Sequence, residues 1–166
     1  LHSFPTRRSS DLGEITPLVR GQIGVGVLIQ EFEDDRFEDG AQPSFDVVLD
    51  LLPTPLTTVR LEATRSTRSS ALIAAPNEVF TAFRVGVDHE LLRNLILSAS
   101  AERGVSSFSG LDRRDRRFRS DLEAQWLFSP RLSARGGIAY ETRDTSIANG
   151  IDFDRFIVLA GVTLRP

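Results

Sequence analysis

Residues 117–128 read RFRSDLEAQWLF, a stretch in which apolar and polar side chains alternate. Most even-numbered positions from Phe118 to Phe128 are apolar, whereas most odd-numbered positions from Arg117 to Gln125 are charged or polar. Successive side chains of a β-strand point to opposite faces, so this period of two predicts a strand with one apolar and one charged face.

The same period recurs along the chain from Gly21 onward. It predicts about eight strands, in the ranges 22–32, 45–51, 57–66, 79–88, 95–102, 117–128, 132–141 and 155–164. Strands of soluble proteins average about five or six residues, whereas a tilted strand that crosses a bilayer needs about ten. The lengths therefore favour strands that cross a membrane.

The connections between the predicted strands alternate in length. Long connections cover 31–43, 67–77, 106–116 and 144–152, and short ones cover 53–55, 89–93 and 129–131. Outer-membrane barrels have long external loops and short periplasmic turns. We therefore predict an all-β fold, an antiparallel up-and-down transmembrane β-barrel with about eight strands present. These strands either close by themselves or form the C-terminal part of a larger barrel.

The first twenty residues do not share this pattern. We interpret residues 1–20 as a leader, disordered or artefactual, and residues 21–166 as a fragment that contains the barrel. Residues 1–12 resemble a translated sequencing adapter, and they lack the apolar core of a signal peptide. The chain also contains no Met.

In a barrel of this kind, the charged faces of the strands line the lumen. Charges of both signs occupy the polar positions, and we expect them to pair because unpaired charge in a poorly hydrated interior is costly. The predicted lumen-facing residues are Arg60, Glu62, Arg84, Asp88, Glu102, Arg119, Asp121, Glu123, Arg135 and Glu141.

Aromatic residues lie near strand ends more often than at strand centres. Membrane barrels place such residues in two interfacial girdles. The predicted girdle comprises Phe32, Phe45, Phe118, Trp126, Phe128, Tyr140 and Phe153. The alternative is a soluble β-barrel or sandwich that binds a small ligand, with the apolar face inside, because alternation by itself does not distinguish these two orientations.

Composition excludes several other classes. The net charge of −3 and the pI near 5.4 give no indication of nucleic-acid binding. Without Cys, and with His2 and His89 as the only histidines, the sequence offers no catalytic constellation, metal site or cofactor site, so we predict that the protein is not an enzyme.

The basic run 113–117 suits lipopolysaccharide phosphates or an acidic polysaccharide, although a solvated loop has the same composition.

Three segments, 52–61, 84–95 and 154–164, resemble the β-barrel porin family found in exopolysaccharide and capsule gene clusters. They read LPTPLTTVRL, RVGVDHELLRNL and DRFIVLAGVTL. The resemblance implies an outer-membrane protein of a Gram-negative bacterium, a passive pore or scaffold linked to polysaccharide export. Its partners would be outer-membrane lipid, lipopolysaccharide and export components. The family supplies no catalytic residues.

Overall fold

The computed structural model describes residues 11–16, 18–30, 40–72, 75–108, 111–147 and 152–165. They form nine strands, namely β1 Asp11–Thr16, β2 Val19–Gln30, β3 Gly40–Thr54, β4 Thr57–Leu72, β5 Ala75–Leu92, β6 Leu95–Phe108, β7 Arg114–Leu127, β8 Leu132–Thr145 and β9 Phe153–Leu164. The eight predicted strands correspond to β2–β9, and β1 is an additional short strand. No helix among the described residues has the length and apolar character needed to span a membrane.

The nine strands form a single sheet whose spatial order follows the chain from β1 to β9. Every neighbouring pair is antiparallel. The all-β, up-and-down architecture is thus confirmed. In this order β1 and β9 are the outermost of the described strands, so the described sheet is not closed.

Several strands extend beyond their predicted ends. The predicted connection 67–77 largely belongs to β4 and β5, whose backbones still pair at Arg68 with Glu78 and at Ser69 with Asn77. Backbone pairing needs no apolar face, so a strand continues past the point where its hydrophobic alternation fades. Likewise, β1 and the start of β2 lie within the range predicted as a leader, and residues 1–10 lie outside the described part of the chain.

Large apolar side chains are exposed rather than packed into a core. Val25, Val158 and Leu164 are 75% to 77% exposed, and Ala82 and Ala139 are the only buried hydrophobic residues among those whose side-chain exposure the structure describes. A soluble β fold of this size would instead bury its Val, Leu and Phe side chains in a dry centre. The soluble alternative, with the apolar face inside, is therefore wrong.

The two faces of the sheet differ in how enclosed they are. In an antiparallel ladder, directly opposed residues share a face, so the strand register assigns each side chain to the apolar or the polar face. Four of the buried side chains, Ala82, Ser106, Asp115 and Ala139, lie on the polar face, whereas buried Asn77, near the loop end of β5, has the parity of the apolar face. Because a concave surface shields its side chains more than a convex one, the sheet curves with its polar face inward.

The apolar band crosses the sheet diagonally. Ile23 in β2 and Asp154 in β9 occupy the same cross-strand row. From that row toward the long-loop ends of the strands, exposed apolar side chains continue in β2 to Ile29. In β9 the last exposed apolar side chain in that direction is Phe156, two residues from Asp154 on the turn side of the row. Barrel strands tilt by about 35–45°. A band that is level in a membrane must cross the rows of tilted strands obliquely, as this one does.

Candidate functional site

The ten polar residues predicted to face the lumen lie on β4 to β8, all on the polar face. The register opposes Glu62 to Arg84, and Arg84 to Glu102, and the remaining seven follow the same parity along their strands. The alternation in the sequence therefore assigned each of these side chains to the same surface.

Across six strands, the register aligns charges of alternating sign in one row. This row, which we call the charge belt, comprises Glu62, Arg84, Glu102, Arg119, Glu141 and Arg155, on β4 to β9 respectively. Directly opposed residues in an antiparallel sheet have Cβ atoms about 4.5–5.5 Å apart, and opposite charges in such pairs are stabilising. The belt thus places each charge between neighbours of the opposite sign.

The β7–β9 part of the charge belt is joined by ion pairs. Arg119 binds Asp121 at 2.6 Å and Glu141 at 3.5 Å, and Glu141 also accepts a 2.7 Å contact from Arg155. Glu141 therefore bridges two guanidinium groups from the strands on either side of it. This arrangement offsets the cost of placing its carboxylate where only 15% of the side chain is exposed.

The β4–β6 part of the charge belt is less neutralised. Arg84 donates a 3.3 Å hydrogen bond to the Ser100 hydroxyl, and within the described residues Glu62 and Glu102 form no ion pair or hydrogen bond. Glu62 and Arg84 border a recess of about 390 Å³ on the polar face. Its charged lining is Arg60, Glu62, Arg84, Asp88, Asp121 and Glu123. Charges of both signs therefore line this recess.

The polar rows on the turn side of the charge belt hold further contacts. Arg60 binds Asp50 through two hydrogen bonds of 2.7 and 3.0 Å, and Ser98 donates a 2.5 Å hydrogen bond to Asp88. Glu123 opposes Gly137, and Arg135 opposes Gln125 on the next row. Most of this face is therefore polar over several successive rows.

A second cluster lies at the loop end of β7, beyond the apolar band. The Asp115 side chain is fully buried and accepts hydrogen bonds from Arg113 at 2.9 and 3.0 Å, from Arg143 at 2.5 Å and from Thr145 at 2.7 Å. We call these four residues the rim cluster. Sequence reasoning placed Asp115 in a loop, yet its odd-numbered position shares the parity of Arg117 and Arg119, which was the available signal.

The Asp115 carboxyl has a perturbed pKa. Burial by itself raises this pKa, but the hydrogen bonds from Arg113, Arg143 and Thr145 outweigh burial and hold it well below its usual range. The carboxylate therefore remains charged at any pH at which the folded protein is expected to function, and the rim cluster remains linked to it.

The predicted aromatic residues are mostly on the apolar face. Phe45, Phe118 and Tyr140 lie toward the loop end of that face, and Trp126 lies at its turn end, stacked on Phe128 with ring centroids 5.8 Å apart. Phe156 was not in the predicted set, yet it contacts Tyr140 at 5.9 Å on the same face. Phe32 lies outside the described residues.

Phe153 does not belong with these aromatic residues. It opposes Arg143 on the polar face, and its ring lies 5.3 Å from the Arg155 guanidinium. Its assignment to the girdle is corrected, because its odd number places it on the side of β9 opposite to Phe156. Nearness to a strand end was a weaker guide than parity.

His89 lies within β5 rather than in a turn. Its side chain is on the apolar face, where Nδ1 is 2.9 Å from the Thr57 hydroxyl of the neighbouring strand. Across the described ranges, no group of three or more His, Cys, Asp or Glu side chains is arranged to hold a metal ion.

Comparison with known proteins agrees with this architecture. No curated protein sequence matches the chain. The model of the family described as "Putative beta-barrel porin 2" matches residues 10–166, and so includes every strand described above. The chain belongs to this family of β-barrel porins.

Proposed function

We propose that this chain forms the wall of a passive channel in the outer membrane of a Gram-negative bacterium. The observation that carries the proposal is the contrast between the faces: apolar side chains are exposed on one, and the charge belt lies on the enclosed other. A barrel wall needs this arrangement, because its outer surface contacts lipid while its inner surface contacts water.

The proposed mechanism is electrostatic and steric filtering of polar solutes. The ion pairs between members of the charge belt on β7, β8 and β9 hold these three strands of the wall together. Arg84, Glu62 and Glu102 remain available to passing ions, and rings of charged side chains set selectivity in channels. Because the available charges have both signs, we expect weak selectivity between small cations and anions.

Ion currents through the membrane-extracted, folded protein in planar bilayers test this proposal. Arg84→Gln removes a positive charge from the wall and should shift the reversal potential in a salt gradient toward cation preference. Glu102→Gln should shift it in the opposite direction. Arg103→Gln is the matched control, because Arg103 opposes Phe83 and Phe118 on the apolar face and should leave selectivity unchanged.

Two results would count against the channel. The first is a folded, inserted barrel that passes no current. The second is a selectivity that responds to Arg103→Gln but not to Arg84→Gln, because the apolar face would then line the conducting path. In the first case a scaffold role would be favoured.

We further propose that the protein takes part in polysaccharide export together with other export components. The support is the resemblance of segments 52–61, 84–95 and 154–164 to porins from exopolysaccharide and capsule clusters. Deletion of the gene should reduce polysaccharide at the cell surface, and the charge-belt variants should change the amount exported. Normal export in the deletion strain would contradict this link.

No catalysis or cofactor is part of the proposal. The described residues include a single histidine, His89, whose Nδ1 is engaged with Thr57 on the apolar face. His89→Ala should therefore leave the single-channel conductance unchanged. A loss of export activity in this variant, with conductance and folding intact, would point to a chemical role instead.

A further inference from the structure

The basic run 113–117 is divided between three environments. Arg113 is held by Asp115 in the rim cluster, and Arg117 opposes Arg143 on the polar face. Arg114 and Arg116 have the parity of Phe118 and therefore lie on the apolar, outward face, above the apolar band. The fold thus separates two arginines from their neighbours and presents them at the outer surface.

In the part of the chain that the structure describes, the guanidinium groups of Arg114 and Arg116 have no side-chain partner. Both residues are exposed, and neither guanidinium forms an ion pair or hydrogen bond with another side chain in the part of the chain that the structure describes. Asp144 directly opposes Arg116 across the ladder, yet no ion pair joins them. By contrast, Arg113 and Arg143 at the same end of the sheet are both bound to Asp115.

A recess of about 400 Å³ lies beside the two arginines. Its lining includes Ser107, Asp112, Arg114, Arg116, Asp144 and Ser146. The guanidinium groups of Arg114 and Arg116 can each donate two parallel hydrogen bonds to a phosphate. The carboxylates of Asp112 and Asp144 would repel a simple anion, but they can accept hydrogen bonds from sugar hydroxyls. A phosphorylated sugar satisfies both kinds of group at once.

The apolar surface continues directly below this recess. Phe118 and Leu122 follow Arg116 on the same face of β7 and are 40% and 56% exposed, so an acyl chain attached to the sugar would lie against them. We propose that Arg114 and Arg116 bind the phosphorylated sugar headgroup of a glycolipid in the outer leaflet. This inference depends on the outer-membrane location proposed above.

Binding can be measured with the membrane-extracted protein in nanodiscs that contain bis-phosphorylated lipid A. Arg114→Gln and Arg116→Gln should each weaken lipid A binding by about tenfold, as expected for loss of one charge-assisted hydrogen-bonded contact. Arg117→Gln is the matched control, because it removes an exposed arginine from the same strand on the other face. The heat-dependent gel mobility of barrels reports whether each variant is folded.

Two additional ligands identify the source of the phosphate. Dephosphorylated lipid A should bind equally to the wild type and to Arg114→Gln, and inorganic phosphate should not compete at millimolar concentration. Competition by inorganic phosphate would show a free-anion site and overturn the proposal. Equal weakening in Arg117→Gln, or no loss in either outward variant, would also overturn it. Because channel currents are measured separately, a failure here is distinguishable from a failure of the proposed function.

Discussion

At the scale of single residues, Gly137 is required by the close approach of β7. A Cβ atom at this position would lie 2.8 Å from the Leu122 carbonyl oxygen, whereas at Gly136 the nearest atom would be 3.9 Å away. We expect Gly137→Ala to lower the free energy of unfolding by about 1–3 kcal/mol, the usual cost of overpacking. Urea unfolding of the protein in lipid measures this, with Gly136→Ala as the control. An equal effect of both substitutions would contradict the assigned packing.

Asp115 offers a second prediction at this scale. Asp115→Asn removes the charge that holds Arg113 and Arg143, and should cost about 1.5–3 kcal/mol at pH 7, the range for hydrogen bonds to a charged group. The pKa of this carboxyl is lower when folded than when unfolded. Its contribution is therefore fully present above the unfolded value of about 3.9 and is lost as pH falls further toward the folded value.

The pH dependence of the difference between wild type and Asp115→Asn tests this assignment. The difference in unfolding free energy should stay constant from pH 8 down to about 5 and shrink below about 4. Asp112→Asn, in the exposed connection next to the rim cluster, serves as the control and should show little difference. A difference that vanished near pH 6 would show that Asp115 is not held by the two arginines.

At the scale of strands, the period of two predicted which residues share a face but not where strands end. In β7 every predicted lumen-facing residue lies on the polar face. Strand ends depend on backbone pairing with a neighbour, and that pairing leaves no signature in stretches without apolar–polar alternation, such as 67–77. For the same reason, the strand Asp11–Thr16 was not predicted.

The contact between β8 and β9 yields a prediction at this scale. Glu141 and Arg155 oppose each other and form a 2.7 Å ion pair, with the arginine side chain 54% exposed. A double-mutant cycle with Glu141→Gln and Arg155→Gln should give a coupling energy of about 0.5–1 kcal/mol, because water screens the pair on its exposed arginine side. Combining Arg155→Gln with Glu62→Gln, which is remote in the sheet, should be additive. A cycle with no coupling would contradict the register of β9.

At the scale of the whole molecule, the charge belt is the feature that sequence reasoning could not assemble. Five of its six members were named as lumen-facing, but their alignment in one row depends on the register between strands. Register is set by the offset of each hairpin, and alternation is unchanged when a strand shifts by two residues. Arg155, the sixth member, was not among the named residues and completes the row only once β8 and β9 are paired.

The central claim is that the apolar face contacts lipid while the polar face encloses water. The chain contains no cysteine, so single cysteines in β7 can carry a nitroxide label without interference. In lipid bilayers, labels at positions 118, 122 and 124 should be more accessible to oxygen, and those at 119, 121 and 123 to a water-soluble nickel chelate. The opposite pattern, with positions 122 and 124 accessible to nickel and 121 and 123 to oxygen, would contradict the account.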